Sequence, residues 1–250
     1  MDSMEMSHRV TREHMREFLL HCHPQYELYY FLAGDVDYRV EGTQYALTPG
    51  GVLLLRAGCF HGYRVLSDKP YERFTIHFWP EALPEAAREE LLKPFCQAVV
   101  WHPDAQYLQE MLMRMQDAGT LPEPARTSVR EAQLAAILAE ILLRSGGAPQ
   151  GQEEAPSMGR RLVEYINLHL GEDVSLEALC QAFYLSRRQL YRVFREATGS
   201  SVGEYVRRKR LALAESMRRS GVCATEAAAR AGYGDYSTYY RARRASGIQD

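Results

Sequence analysis

The stretch SRRQLYRVFREATG, from Ser186 to Gly199, constrains the fold of this chain most strongly. Ser186 suits the N-cap of a helix, and Gly199 suits its C-terminal stop. Between them, apolar residues recur at i, i+3, i+4 and i+7, which is the spacing of one helix face. That face is Leu190, Val193, Phe194 and Ala197, and the opposite face is Arg188, Tyr191, Arg192 and Arg195. The pattern predicts an amphipathic helix with a basic and aromatic polar face.

A second helix is predicted directly before this one. Residues Leu176 to Phe183 follow Ser175, another N-cap residue, and Tyr184-Leu185 supplies a short turn. A helix, a short turn and a basic helix make a helix-turn-helix, whose second helix enters the DNA major groove. An arginine there can donate two hydrogen bonds to guanine O6 and N7, while other arginines contact phosphates.

The same arrangement recurs further along the chain. A long helix is predicted over 202–219, a short helix over 225–231 and, after Gly232, a second recognition helix from Asp235. Two such units could occupy successive major grooves on one face of DNA, about 34 Å apart. The basic run Arg207–Arg210 on the long helix is interpreted as an ordinary solvated face.

The charge distribution supports a polyanionic partner for this part of the chain. Residues 158–250 carry 16 basic and 10 acidic side chains, and residues 1–157 carry 14 and 22, which together give the net charge of −2. A basic C-terminal third on an acidic body favours nucleic acid binding by that third alone.

From about 160 to 250 the chain resembles the AraC family of transcription regulators. The resemblance lies in an ordered set of motifs: Tyr165-Ile166, VSLEAL, LSRRQLYRVFREATGSSVGEYV, RLALA, AGYGD and Tyr239-Tyr240-Arg241. It implies a structural role for Arg210 between the two units. The DNA-contacting residues that the pattern and the resemblance indicate are Arg187, Arg188, Tyr191, Arg192, Arg195, Tyr236, Ser237, Tyr240 and Arg241.

The second unit departs from the family pattern. Ala224 and Ala227 stand where the family has bulky aliphatic residues, Arg243 stands where it has phenylalanine, and the closing segment is only Gly247 to Asp250. A buried, unpaired arginine would be unfavourable, unless its head group reaches the edge. We therefore expect a thinner core and weaker order in the second unit, and we expect the first unit to supply most of the sequence recognition.

The N-terminal part has a different pattern. From about Glu17 to Trp79, short segments rich in tyrosine, valine, leucine and phenylalanine alternate with turns such as Gly34-Asp35 and Pro49-Gly50-Gly51. Many short strands at close spacing predict an antiparallel barrel or sandwich. The predicted fold class is therefore α+β multidomain: an N-terminal antiparallel cupin-like β-barrel with a helical segment, and a C-terminal all-α double helix-turn-helix.

Helices are predicted after Pro80, over 85–92, 104–117 and 124–145. The last has a broad apolar stripe, which either forms a homodimer contact or packs against the chain's own barrel. Residues 147–157, rich in glycine, proline and glutamine, read as a linker. The predicted divisions are 1–100 for a ligand-sensing barrel, 101–146 for a helical dimerisation segment, 147–157 for the linker and 158–250 for the DNA-binding domain.

A cluster of potential ligand residues lies in the barrel. His21, His23 and Glu27 have H-x-H-x3-E spacing, and His61 follows Gly58 on a later strand. Two imidazoles, a carboxylate and a third imidazole can hold iron, manganese, nickel or zinc. The arrangement resembles the metal motif of cupin barrels, and the whole stretch resembles the sensor half of AraC-type proteins.

Three interpretations of this cluster stay open at this point: a divalent transition-metal site, a metal-free pocket for a small molecule, and structural residues at a barrel rim. Sensor barrels of the family commonly keep such residues without a metal, so no cofactor is expected. The pocket residues indicated are His21, His23, Glu27, Tyr29, His61, Arg73 and His77.

These observations favour a DNA-binding regulator that responds to a small-molecule effector, a sugar or a metabolite. We expect it to be a homodimer, and we do not expect it to be an enzyme. The alternative is a cupin-type metal-dependent enzyme or metal sensor fused to a DNA-binding domain. Five scattered cysteines indicate reduced thiols in a cytoplasm. The first fifteen residues lack an apolar region, so no secretory signal is expected, and no apolar run is long enough to span a membrane.

Overall fold

The computed structural model describes residues 3–12, 20–96, 100–101, 105–144 and 157–246. Within these ranges, eight strands precede most of the helices, and every strand pair is antiparallel. The strands are β1 (Met4–Thr11), β2 (Tyr26–Ala33), β3 (Val36–Val40), β4 (Thr43–Ala46), β5 (Val52–Leu55), β6 (His61–Val65), β7 (Tyr71–Phe78) and β8 (Val100–Trp101).

Two sheets face each other in the N-terminal part. One has the strand order β1-β7-β2-β5-β8, and the other has the order β4-β3-β6. The space between them is filled by a cluster that is rich in aromatic side chains, among them Tyr29, Phe31, Tyr38 and Tyr71. Because side chains alternate along a strand, odd-numbered positions of β2 and β5 face this interior.

Helices cover the other face of the larger sheet. Short 3₁₀ turns and α1 (Arg88–Leu92) are followed by α2 (Ala105–Asp117) and α3 (Ala125–Arg144). Leu134, Ile137, Leu138 and Ile141 of α3 are buried in one core with even-numbered residues of β2, β5 and β7. The apolar stripe of α3 thus packs against the chain's own barrel, one of the two alternatives the sequence left open. Homodimerisation stays a prediction.

The C-terminal part is helical from α4 to α9. The helices are α4 (Met158–Leu168), α5 (Leu176–Phe183), α6 (Arg187–Thr198), α7 (Val202–Arg219), α8 (Ala224–Arg230) and α9 (Tyr236–Ala245). Ser175, Ser186, Ser201 and Asp235 cap α5, α6, α7 and α9 by accepting hydrogen bonds from backbone N–H groups. Among the helices that the structure describes, none is long and apolar enough to cross a membrane.

The structure departs from the sequence prediction at two places. The sequence did not predict strand β1, because most of its residues are polar, yet β1 pairs with β7 over its whole length. The expected strand around 17–23 lies partly outside the described residues, and His21 forms only an isolated bridge with His61. The predicted linker lies almost entirely outside the described residues, as do the closing residues 247–250.

Candidate DNA interface and ligand site

The first helix-turn-helix unit has the predicted geometry. Ser186 and Gln189 form a reciprocal capping box at the start of α6, and Gly199 ends the helix with a positive φ of 71°. Leu190 and Phe194 are buried in a core shared with α4, α5 and α7. This core holds α6 in place and turns the opposite face outward, where Arg187, Arg188, Tyr191, Arg192 and Arg195 are all exposed.

The exposed arginines of α6 make only weak local contacts. Arg187 pairs with Glu177, and Arg192 Nη1 lies 3.3 Å from Glu196 Oε1. Arg195 donates a 2.5 Å hydrogen bond to the Tyr191 hydroxyl. Exposed ion pairs of this kind contribute about 0–1 kcal/mol, so a DNA phosphate or base edge can replace them at little cost.

Arg210 has the structural role that the family resemblance implied. Its Nε and Nη2 donate 2.9 Å hydrogen bonds to the carbonyl oxygens of Leu170 and Glu172, which follow α4. A Cβ atom on Gly232 would lie 2.8 Å from Arg210 Nε, so the same guanidinium also contacts the second unit.

The second unit presents its own exposed row on α9, consisting of Tyr236, Ser237, Tyr240 and Arg241. Its core is thin, as predicted: the apolar cluster consists of Leu211, Ala214, Ala228, Ala231 and Tyr239.

Arg243 is buried, and the concern that it lacks a partner was wrong. Its Nε donates a 3.1 Å hydrogen bond to Glu215 Oε1, which also accepts one of 2.5 Å from the Tyr239 hydroxyl. The second unit therefore combines few apolar contacts with a buried polar network.

The histidine cluster of the barrel assembles around one carboxylate. Glu27 is buried, and its Oε2 lies 3.0 Å from His23 Nε2, 2.9 Å from His61 Nε2 and 3.3 Å from His77 Nε2. His21 completes the group, with its ring centroid 4.5 Å from that of His61. One ligand atom from each of His21, His23, Glu27 and His61 can be chosen so that all lie within 4.8 Å of one another.

The hydrogen bonds of two histidines define which ring nitrogen faces Glu27. Nδ1 of His61 lies 2.9 Å from the carbonyl oxygen of Cys59, and Nδ1 of His23 lies 3.2 Å from that of Gln25. Since a carbonyl only accepts, both Nδ1 atoms carry the proton. The Nε2 lone pairs of neutral rings would then point at a carboxylate, an unfavourable arrangement that a proton or a metal cation in the cluster relieves.

This hydrogen-bond pattern fits a metal site. Metal-ligating histidines typically donate their other ring N–H to a carbonyl or carboxylate. Within the described residues, the buried His61 Nε2 has no hydrogen-bond partner of acceptable geometry, although Glu27 lies close. Ligand atoms at about 2.0–2.2 Å from an ion lie roughly 3.3–3.6 Å apart in a tetrahedral site, so binding an ion would draw these four groups closer together than their present spread of 4.8 Å.

Burial and the three imidazoles act in opposite directions on Glu27. Burial alone raises the pKa of its carboxyl, but the neighbouring His61, His23 and His77 hold that pKa well below its usual range. Burial lowers the pKa of His23 despite Glu27. Burial also opposes a charge on His77, yet its hydrogen bond to Glu27 raises the pKa of that ring overall. The cluster is therefore built around a negative charge.

Two of the predicted pocket residues lie apart from this group. The Tyr29 hydroxyl shares a 2.5 Å hydrogen bond with that of Tyr71, and the Arg73 guanidinium stands 4.3 Å above the Tyr71 ring. This aromatic network lies deeper between the sheets and connects to the cluster through Tyr38, which stacks on His61 at 6.3 Å. The structure brings His21, His23, Glu27, His61 and His77 together, whereas Tyr29 and Arg73 belong to the neighbouring aromatic network.

Sequence reasoning missed Glu41 and misjudged Lys209. Lys209 was interpreted as part of a solvated helix face, whereas it is 8% exposed and its Nζ lies 2.9 Å from Glu41 Oε1. The one local signal is the pair Glu41-Gly42 between two strands, which predicts a turn but not a buried carboxylate.

Comparison with known proteins identifies the family. Residues 6–155 match the AraC-like ligand binding domain, and residues 179–246 match a helix-turn-helix domain. The protein belongs to the AraC-like family.

Individual relatives are more distant. The chain is 28% identical to the HTH-type transcriptional activator RhaS of Salmonella arizonae, over 88% of this chain and 82% of that protein. It is 29% identical to RhaS of Citrobacter koseri over 54% of its own length, and the match spans half the length of that relative. Among solved structures, ToxT of Vibrio cholerae has a TM-score of 0.42 and 10% identity, covering 96% of this chain and 93% of that one.

Proposed function

We propose that this protein is a DNA-binding transcription regulator of the cytoplasm whose activity is controlled by a small ligand in the N-terminal barrel. The observation that carries the proposal is the outward-facing row of arginine and tyrosine on α6, held by a capped and well-packed helix-turn-helix. The family assignment and the basic C-terminal third support it. DNA, a small effector and a second copy of the chain are the partners that we propose.

The DNA-binding half can be tested with the purified full-length protein. Genome-wide footprinting first identifies bound sequences, and titration then compares Arg188→Ala and Arg192→Ala with Tyr240→Ala and Arg241→Ala. An arginine that reads guanine contributes about 1–3 kcal/mol, so the first pair should lose about 5- to 150-fold in affinity and relax specificity.

Arg144→Ala is the matched control, because Arg144 is a surface arginine with an i,i+4 carboxylate like that of Arg192 but lies on α3. Its affinity should stay within twofold of the wild type. Larger losses from the α9 pair would contradict our assignment of most sequence recognition to the first unit. Unchanged affinity in all four variants would remove the proposed DNA surface.

For the ligand, we propose a divalent transition metal in the histidine cluster, because four imidazoles and one buried carboxylate converge there. His21, His23, Glu27 and His61 would hold the ion, which would act as the sensed species or help to bind an organic effector. A metal-free pocket for a sugar or metabolite is the second candidate, since the aromatic network with Arg73 and Tyr29 adjoins the cluster.

Metal analysis after incubation with Zn²⁺, Fe²⁺ or Ni²⁺ and gel filtration tests the metal proposal. One ion per chain is expected in the wild type and in His8→Ala, because His8 lies outside the cluster and pairs with Glu72. Loss of the ion is expected in His21→Ala and His61→Ala. A wild type that retains no metal would exclude both a metal sensor and the alternative metal-dependent enzyme, and a thermal shift screen with sugars and metabolites would follow.

A further inference from the structure

The β3–β4 turn of the barrel inserts into the first helix-turn-helix unit. Val40 and Thr43 are the last paired residues, so the loop consists of Glu41 and Gly42 alone. Their φ angles are 47° and 82°, as a two-residue hairpin with two positive φ angles requires. Asparagine, aspartate or glycine normally occupies the first of these positions, and a glutamate there is conformationally unfavourable. Such strain persists only where surrounding contacts compensate for it.

The compensating contacts are four donors on one carboxylate. Glu41 Oε1 accepts hydrogen bonds from the backbone N–H of Phe60 at 2.5 Å and from Lys209 Nζ at 2.9 Å. Glu41 Oε2 accepts from Asn167 Nδ2 and from the Tyr205 hydroxyl, both at 2.5 Å. Three of these donors belong to α4 and α7 of the DNA-binding domain. Glu41 therefore joins the barrel to the first unit with a full set of charge-assisted bonds.

Packing around the turn is close on both sides. Arg39, two residues before Glu41, donates a 2.6 Å hydrogen bond to the carbonyl oxygen of Glu196 near the end of α6. A Cβ atom on Gly42 would lie 3.4 Å from the Ala197 side chain. The turn thus contacts the C-terminal end of the recognition helix without covering its exposed arginines.

Two further barrel segments contact the same unit, and each adjoins a histidine of the cluster. Phe60 precedes His61 and packs on Tyr205, with ring centroids 5.0 Å apart. Leu20 and Cys22 flank His21 and pack against the core of the first unit. The backbones of His21 and His61 are paired by hydrogen bonds of 2.8 and 2.9 Å. Both histidines are therefore next in sequence to residues that pack against the DNA-binding domain.

We propose that Glu41, together with the segments flanking His21 and His61, forms a docking surface that holds the first helix-turn-helix unit against the barrel and transmits occupancy of the histidine cluster to it. The regulatory half of this inference rests on the proposed function, whereas the docking itself does not. A buried ion pair across an interface suits a reversible contact, because separation returns both charges to water and recovers their solvation. Loss of one partner alone leaves the other charge buried and disfavours docking.

Hydrogen exchange followed by mass spectrometry on the full chain tests docking without DNA or effector. Glu41→Ala should raise amide exchange in the docked segments 20–23 and 58–61 and in α4 by at least tenfold, which corresponds to about 1.4 kcal/mol. Glu164→Ala is the control, because Glu164 is a glutamate of α4 that pairs with Arg160 at the surface. Unchanged exchange in Glu41→Ala would overturn the proposal.

A double-mutant cycle separates docking from general damage to the fold. Glu41→Gln and Lys209→Met should each increase exchange, and the double variant should increase it by less than the product of the two factors. Multiplicative effects would mean that the two side chains act independently, and would overturn the ion pair as the docking contact. Protection of β2 and β7 at wild-type levels in all variants verifies that the barrel is folded.

Transmission is tested with Zn²⁺ alone as the probe. In the wild type, saturating Zn²⁺ should slow exchange in 20–23 and 58–61 and also in α4, whereas in Glu41→Ala the slowing should be confined to the barrel segments. Equal slowing of α4 in both proteins, or slowing of the barrel segments 20–23 and 58–61 without slowing of α4 in the wild type, would overturn transmission. Absence of slowing in those barrel segments would instead contradict the proposed metal site. Neither result depends on DNA, so failure of the proposed DNA-binding function would be seen separately in the titrations.

Discussion

Replacing Glu215 by leucine should destabilise the second helix-turn-helix unit, because it removes the charged partner of the buried Arg243. Glu215 is 8% exposed and accepts hydrogen bonds from Tyr239 and Arg243, with Arg218 at 3.4 Å from its other oxygen. The substitution removes the carboxylate from a guanidinium that is only 9% exposed.

The magnitude follows from the burial of the pair. Removing one partner of a buried ion pair destabilises a protein by about 3–5 kcal/mol. We expect about 3 kcal/mol, at the lower end, because Arg218 is 28% exposed and water therefore reaches the edge of the network. The apolar core of this unit consists mainly of alanines, so it offers little compensation.

Urea unfolding of the full chain, with hydrogen exchange in α8 and α9 as the local readout, measures the effect. The double variant Glu215→Leu with Arg243→Met should recover most of the loss, since replacing a buried ion pair by apolar residues of similar size is often neutral. A loss below about 1 kcal/mol in Glu215→Leu, the range of exposed pairs, would refute the reasoning. A double variant whose destabilisation equals the sum of those of the two single variants would refute the reasoning as well.

Three further predictions concern the helix packing, the DNA face and the docking turn. Gly159→Ala should destabilise the first unit by about 1–3 kcal/mol in urea unfolding, because its Cβ would lie 2.6 Å from that of Ala197. At Gly203 an added Cβ would contact no other segment of the chain within 4 Å, so Gly203→Ala should stabilise the chain by about 0.4–1 kcal/mol. Equal changes in stability for the two glycine variants would contradict the packing argument. Because Arg188 is proposed to read a guanine, Arg188→Ala should relax specificity and leave the slope of log affinity against log salt nearly unchanged; a slope reduced by about one with specificity retained would contradict base reading and indicate a phosphate contact. Burial raises the pKa of Glu41, but Lys209 and the other donors leave this pKa lowered overall from 4.5. The stability advantage of the wild type over Glu41→Gln should therefore be complete above pH 4.5 and decline as the pH falls through the pKa of Glu41 in the folded protein. An advantage that does not change with pH would contradict an ionised Glu41.

Local sequence signals predicted the helical half of the fold well. N-cap serines, the stop at Gly199 and the apolar spacing of Leu190 and Phe194 define α6 within its own fourteen residues. Strand β1 was harder to predict, since its side chains are mostly polar and the strand with which it pairs, β7, lies some seventy residues away. The linker and the domain divisions stay predictions.

The sequence also predicted part of the ligand site. The spacing of His21, His23 and Glu27 indicated that these side chains meet, and the structure places them together with His61. The position of His77 against the same carboxylate oxygen depends on the register of β2 with β7, which pairs Glu27 directly with His77. No local pattern specifies that register.

The sequence by itself therefore determined the helix-turn-helix units and their exposed faces, because capping and helical periodicity are properties of neighbouring residues. Only the tertiary structure decided which charged side chains are buried and which residues pair with them. Glu41 and Lys209 are separated by 168 positions, and Glu215 and Arg243 by 28. Glu41, Lys209 and Glu215 look like surface residues in their own segments, and the segment of Arg243 does not indicate which residue pairs with it. Burial and pairing arise only when distant segments pack together, since a charged side chain is tolerated inside a protein only where a partner meets it.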